Sequence, residues 1–233
     1  RMYFDGGDLI RASDNLVRSR DMFEMIQDKL GLAYVYRSLA NLYKSQNQFD
    51  QAVEMSTKAY LLRKELGDKR SIVSSLLELG LIYESMDSTE IALQKMRLAD
   101  SIARQVNDRV TLAELELGMA EILFDEKHGS EANAKAEEVL TIVSELSNQK
   151  LFIRASLIKG KYLVSQKRHN EARPIFEDVI KKAEESGNLV YQIEATQAAS
   201  LCYQALGQHD KAHELNDKFE VLEEKIKNTD LQQ

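Results

Sequence analysis

Cysteine occurs once in the 233 residues, at Cys202, and tryptophan not at all. A lone cysteine excludes an intrachain disulfide, so the fold does not depend on an oxidising compartment. That favours the cytoplasm and leaves room for a periplasmic or otherwise exported domain without disulfides. Proline also occurs once, at Pro174. Apolar runs fall short of the roughly 18 residues a membrane-spanning helix needs, and no signal peptide is recognisable. Basic residues are in deficit, 31 against 38 acidic, for a net charge of -7. Nucleic-acid phosphates and anionic membranes both call for a basic face, so neither is expected as a partner. Strand signals are missing too. There is no sustained period-two alternation, and no Asn-Gly or Asp-Gly pair joins two such runs as a hairpin, which removes a propeller blade. With 43% hydrophobic residues, the chain still has enough apolar surface for a core.

What the sequence does contain is an internal repeat. Segments beginning at Gly31, Ser71, Thr111, Leu151 and Tyr191 align without insertion, and their last residues, Tyr43, Tyr83, Leu123, Leu163 and Tyr203, fall 40 apart. Ala12, Ala52, Ala92, Ala132, Ala172 and Ala212 keep the same register along the whole chain. A further column holds Ala59, Ala99, Val139, Val179 and Phe219. Each unit carries two amphipathic helical patterns, for example Leu76, Leu79, Ile82 and Tyr83, then Ile91, Ala92, Met96 and Ala99. Asp50, Glu90, Ser130, Asn170 and Asp210 stand before the second helices, where all but Glu90 are good N-caps. Gly67-Asp68, Asn107-Asp108, Ser147-Asn148 and Gly187-Asn188 lie between units, where Gly or Asn suits a left-handed helix end.

These columns resemble the tetratricopeptide repeat family. Leu79-Gly80-Leu81-Ile82-Tyr83 matches its first-helix pattern, and Ala92-Leu93-Gln94-Lys95-Met96 approximates its second. Ala40, Ala120, Gly160 and Ser200 hold the small position where a partner helix crosses closely. The resemblance implies an all-α, right-handed superhelix of antiparallel helix pairs, with about eleven helices. Its units would be a partial repeat at 1–32, repeats at 33–72, 73–112, 113–152 and 153–192, and a C-terminal repeat with capping helix at 193–233, forming one continuous domain. The usual repeat has 34 residues and closes its second helix with a proline. Here that proline is absent, and six further residues lengthen a unit by about 9 Å. Such long units are similar to those of scaffold proteins and of the sensor regions of bacterial histidine kinases and transcription regulators. Pro174 is expected in the first turn of a second helix. The chain opens at Arg1 in mid-repeat, so it reads as a fragment.

The resemblance further implies that first helices line a concave groove. Tyr34, Arg37, Asn41, Leu77, Leu81, Glu84, Glu114, Leu117, Glu121, Phe124, Arg154, Leu157 and Lys161 are then the candidates for contacting a partner. Leu77, Leu117 and Leu157 form either an apolar stripe in the groove or ordinary core between adjacent first helices. Arg37 and Asn41 sit where chaperone-binding relatives clamp a terminal carboxylate, but Glu78, Glu114 and Gly118 follow, and two carboxylates repel that ligand. His209 and His213 are spaced i, i+4, yet a zinc site needs further ligands. Cys202 is expected to be a buried, inert thiol. No phosphate loop or nucleophile elbow is present. The expected function is a scaffold module that binds a protein or peptide. The alternative is a regulatory input domain of a larger signalling protein. Neither catalysis nor a cofactor is expected, and an end repeat stacking on a second copy would give a homo-oligomer.

Overall fold

The computed structural model describes residues 6–146 and 148–231. Among them are eleven helices: α1 (Gly6–Met25), α2 (Lys29–Ser45), α3 (Phe49–Leu66), α4 (Lys69–Glu84), α5 (Thr89–Val106), α6 (Arg109–Asp125), α7 (Gly129–Leu146), α8 (Gln149–Ser165), α9 (His169–Glu185), α10 (Leu189–Ala205) and α11 (His209–Leu231). No described residue is in a strand. The chain divides into two compact units, Arg1–Gly118 and Met119–Gln233, with the division inside α6.

The helices begin and end by two repeating devices. Each first helix is capped by a side chain one residue before it. Asp28 accepts from the amides of Leu30 and Gly31 (both 3.0 Å), Asp68 from Arg70, Asp108 from Thr111, Asn148 from Leu151 and Asn188 from Tyr191. Such a cap satisfies amides that have no intrahelical acceptor. Second helices have a different start. Gln48, Ser88 and Arg168 occupy the cap position without a side-chain bond. Asp50, Glu90, Ser130, Asn170 and Asp210 are therefore not N-caps. Each is the second residue of its helix, where the carboxylates of Asp50, Glu90 and Asp210 favour the positive end of the dipole instead.

The turn before each second helix explains the shift. Residue 47, 87, 127, 167 or 207 takes a positive φ, and the next amide bonds back to the fifth preceding carbonyl, as in Gln48 to Tyr43 (2.9 Å) and His128 to Leu123 (2.8 Å). This is the Schellman closure of a helix. Between repeats the left-handed residue is Gln27, Gly67, Asn107 or Gly187. Pro174 is the sixth residue of α9 and so lies in the second turn rather than the first. There its missing N–H costs the helix a hydrogen bond.

In the first unit, α2 buries Val35, Leu39 and Leu42, and α4 buries Val73, Leu76, Leu79 and Ile82. In the second, Ile153, Leu157 and Leu163 of α8 meet Ala172, Phe176, Val179 and Ile180 of α9 and Ala195, Ala199 and Cys202 of α10. Each large apolar side chain so buried contributes about 1.5–3 kcal/mol. The alanine column lies inside these contacts: Ala52, Ala92, Ala132 and Ala172 are completely buried. Gly80 and Gly160 show why their column must be small. A Cβ on Gly80 would stand 2.8 Å from Met96 Cγ, and one on Gly160 would stand 2.6 Å from Phe176 Cε1.

Candidate functional site

In the first unit, Tyr34, Arg37 and Asn41 are spaced three and four apart on α2, and all three are exposed. Leu77 and Leu81 on α4 are half-buried, while Glu84 and Glu114 are exposed. In the second unit, Glu121 and Phe124 of α6 and Arg154 and Lys161 of α8 are half-buried. The apolar stripe does not form. Leu117 is 0% exposed and Leu157 4%, and Leu157 packs in the α8–α9–α10 core. The face that carries these leucines also packs against neighbouring helices, and their side chains are spent there.

Several polar candidates pair between successive first helices. Arg37 Nε donates to Glu78 Oε1 at 3.2 Å, and Lys44 Nζ to the Leu81 carbonyl at 3.2 Å. Arg154 grips Glu121 with two bonds, Nε to Oε1 at 2.9 Å and Nη2 to Oε2 at 2.5 Å. Lys161 Nζ lies 2.5 Å from Glu194 Oε1 and 5.9 Å from the centre of the Phe124 ring. Exposed ion pairs contribute about 0–1 kcal/mol. The half-buried, two-bond Arg154–Glu121 pair is stronger than that, and the face offers alternating charge. Phe124 also lines a cleft of 600 Å³ with Lys127, Gly129, Ser130, Tyr162, Ser165 and Gln166. Tyr162 was not singled out, because its column otherwise holds Leu42, Ile82, Ile122 and Cys202, all of them buried core residues.

The first unit holds a feature that the motif reading passed over. Arg63, at the end of α3, is only 4% exposed. Its Nη1 donates to Ser75 Oγ (2.6 Å) and to the Ser71 carbonyl (3.3 Å) on α4. Burial holds its pKa below the usual arginine value, and the nearby Arg37 charge acts the same way. The Tyr34 ring lies over the guanidinium, with its centre 6.0 Å from the guanidinium carbon. Glu78 Oε2 is buried without a partner.

Cys202 is buried, and burial pushes its thiol pKa up, which suits an inert core residue. His209 and His213 are exposed. Among the described residues no three His, Cys, Asp or Glu side chains converge as metal ligands, and no helix is long and apolar enough to cross a membrane.

With this geometry in place, the chain can be compared with known proteins. Residues 32–66, which span α2 and α3, match the family model described as tetratricopeptide repeat. Tetratricopeptide repeat protein 29 of Macaca fascicularis is 23% identical over 146 residues, which are 63% of this chain and 31% of that protein. The chain thus spans less than a third of the curated relative it matches. The crystal structure of BtubC (BKLC) from P. vanneervenii superposes with a TM-score of 0.82 at 16% identity, covering 94% of this chain and 91% of that one. A signal transduction ATPase (STAND) with a tetratricopeptide repeat sensor, from Pyrococcus horikoshii, gives 0.83 at 15% identity, covering 96% of this chain and 35% of that one. At such identities the structural likeness shows the fold alone. The repeat columns, the eleven helices among the described residues and the matched segment at 32–66 together mark an all-α repeat fold like that of tetratricopeptide repeat proteins.

Proposed function

We propose that the chain is a scaffold module that binds a protein or peptide through the faces of its first helices. The observation that carries this is the exposed Tyr34, Arg37 and Asn41 face of α2. Side chains of three chemistries stand open on one rigid helix whose opposite face is buried, an arrangement suited to reading a partner's side chains. In the second unit the corresponding contacts are Glu121, Phe124, Arg154 and Lys161, whose cross-helix pairs present alternating charge to a partner. Leu81, Glu84 and Glu114 flank the first set. Leu77 contributes only its exposed edge, and Leu117 and Leu157 support the helices from below. Nothing in this arrangement calls for catalysis or a cofactor.

Selection from a random-peptide display library tests the assignment. Enriched peptides should bind the intact chain and lose at least about tenfold in affinity when Tyr34, Arg37 and Asn41 are all changed to Ala, with helical circular dichroism unchanged. That loss corresponds to about 1.4 kcal/mol, within reach of one aromatic and one charged contact. Equal binding to the triple variant would remove this surface, and absence of any enrichment would remove the peptide reading.

A second reading is favoured by one comparison. The region similar to this chain makes up 35% of the STAND protein, whose tetratricopeptide repeats are its sensor. By that likeness the chain is a regulatory input domain of a larger signalling protein. The full-length gene decides it: a kinase, ATPase or DNA-binding segment joined to these repeats supports the reading, and its absence overturns it.

A further inference from the structure

Arg63 occupies a column that is apolar through the other internal repeats and charged again only at the half-buried Glu223 of α11. At 40-residue spacing its counterparts are Ala103, Val143 and Ala183, and those of Ser75 are Leu115, Ala155 and Ala195. All six counterparts are buried. The fold therefore needs no charge at this place. Glu78 is equally singular, with Ser38, Gly118, Ile158 and Ala198 in its column.

A buried guanidinium is costly unless an anion compensates it. Both acceptors of Arg63 Nη1 are neutral. Among the described residues no carboxylate forms an ion pair with Arg63, and its Nε and Nη2 have no hydrogen-bond partner. Glu78 and Asp68 act on it from a distance, but Glu78 Oε1 is engaged by Arg37, and Asp68 caps α4. Arg37 uses only its Nε in that bond, so Nη1 and Nη2 are also uncommitted. Glu78, whose Oε2 is buried without a partner, repels an anion here as it does at the clamp position, but the clamp lacks Arg63, and Arg63, Arg37 and Glu78 together carry a net charge of +1. The donors of a guanidinium lie in its plane, so the Tyr34 ring that covers the Arg63 face leaves the donating edge uncovered. Tyr34, which covers that face, is 55% exposed.

We propose that Arg63 and Arg37, roofed by Tyr34, form an oxyanion site that receives an acidic or phosphorylated side chain of a bound peptide. The proposal rests on the peptide-binding reading and gives it a specificity. The site anchors a negative side chain at the junction of α2, α3 and α4 through charge-assisted hydrogen bonds. Asn41 and Glu114 take no part in it.

The side-chain Nε–H signals of Arg63 and Arg37 in nitrogen-15-labelled full chain report on the site directly. Four probes are titrated: inorganic phosphate, and end-blocked pentapeptides that differ only in a central Glu, phosphoserine or Gln. Phosphate and at least one anionic peptide should shift both signals, and the Gln peptide should not. A response to the Glu peptide identifies a carboxylate ligand, and a response to the phosphoserine peptide alone identifies a phosphate ligand. Two variants follow. Arg63→Ala/Ser75→Leu recreates the Ala103 and Leu115 pair, which keeps the core filled. Arg37→Gln changes only an exposed side chain. Each should weaken anion binding roughly ten- to hundredfold, the effect of losing a charged hydrogen bond, with helicity retained. Shifts caused by phosphate but by neither anionic peptide would keep the oxyanion site and overturn its peptide ligand. Silence toward every anion, or unchanged affinity in the double variant, overturns the site itself.

Discussion

The two compact units solve the same packing problem with different materials. In the second, Phe176 fills the space above Gly160, and Val143, Ala155, Ala183 and Ala195 keep the adjoining columns apolar as far as Glu223 of α11. In the first, flexible Met96 lies over Gly80, and a buried Arg63 bonded to Ser75 replaces one apolar pair. An aromatic ring has one way to fit, whereas a thioether adapts. The comparison teaches that one 40-residue spacing supports both a rigid junction and a polar, adaptable one. The adaptable junction adjoins the exposed Tyr34–Arg37–Asn41 face.

The sharpest way to break the comparison is to add one carbon to each glycine. Gly160→Ala drives its Cβ into the Phe176 ring, and overpacking of this kind costs about 1–3 kcal/mol. Alanine returns up to about 1 kcal/mol of helix propensity, so a net loss of about 1–2 kcal/mol is expected. Gly80→Ala meets Met96, which turns aside, and its net effect should lie near zero. Hydrogen exchange resolved by peptide separates the units: protection should fall across α8 and α9 in the first variant and hold across α4 and α5 in the second. Equal losses would mean that Met96 is as constrained as Phe176.

The second test converts the first unit to the apolar pattern. Arg63→Ala/Ser75→Leu removes an uncompensated buried charge and should raise stability by about 1–2 kcal/mol in urea unfolding. A large loss would show that the guanidinium stem is packed too well to replace.

Both tests depend on the repeat, which was legible because small residues recur wherever two helices cross closely. Ala52, Ala92, Ala132 and Ala172 mark those crossings without ambiguity. The caps were harder to assign. Asp68 and Asn188 follow a left-handed glycine, so the pair read as the end of one helix, while Asp68 and Asn188 in fact begin the next. The candidate face was half legible. Spacing places Tyr34, Arg37 and Asn41 on one side of a helix, but periodicity cannot separate an open position from one packed against a neighbouring first helix, and Leu117 and Leu157 fell on the packed side. Arg63 becomes conspicuous only once Ala103, Val143 and Ala183 are known to be buried.

The turns between paired helices differ between the units in the same spirit. The left-handed position holds Asn47 and Asp87 in the first unit, and Lys127, Lys167 and Gly207 in the second. Asn and Asp tolerate this conformation, whereas lysine bears a steric cost of about 1–2 kcal/mol. Part of that is offset by glycine's freedom in the unfolded chain. Lys167→Gly should therefore stabilise by about 0.5–1 kcal/mol, and Asn47→Gly should change little. Matching gains at both sites in thermal unfolding would erase the distinction.

The smallest expected effect concerns pH. First-helix caps are Asp28, Asp68 and Asp108 in the first unit but Asn148 and Asn188 in the second. The hydrogen bond from Ser71 Oγ, aided by the amides of Ser71 and Arg70, holds the Asp68 carboxyl below the usual aspartate pKa. A depressed folded-state pKa adds stability above the unfolded value, and that stability is lost as pH falls through the folded one. The start of α4 should accordingly lose amide protection on acidification below the ordinary carboxylate range, while the starts of α8 and α10 keep theirs, since a carboxamide does not titrate. In Asp68→Asn the acid response at α4 should vanish, because the side-chain oxygen that accepts the amide bond is retained. If exchange at α4 still rises with acid in that variant, carboxylates elsewhere in the first unit drive the response, and the cap is not the titrating element.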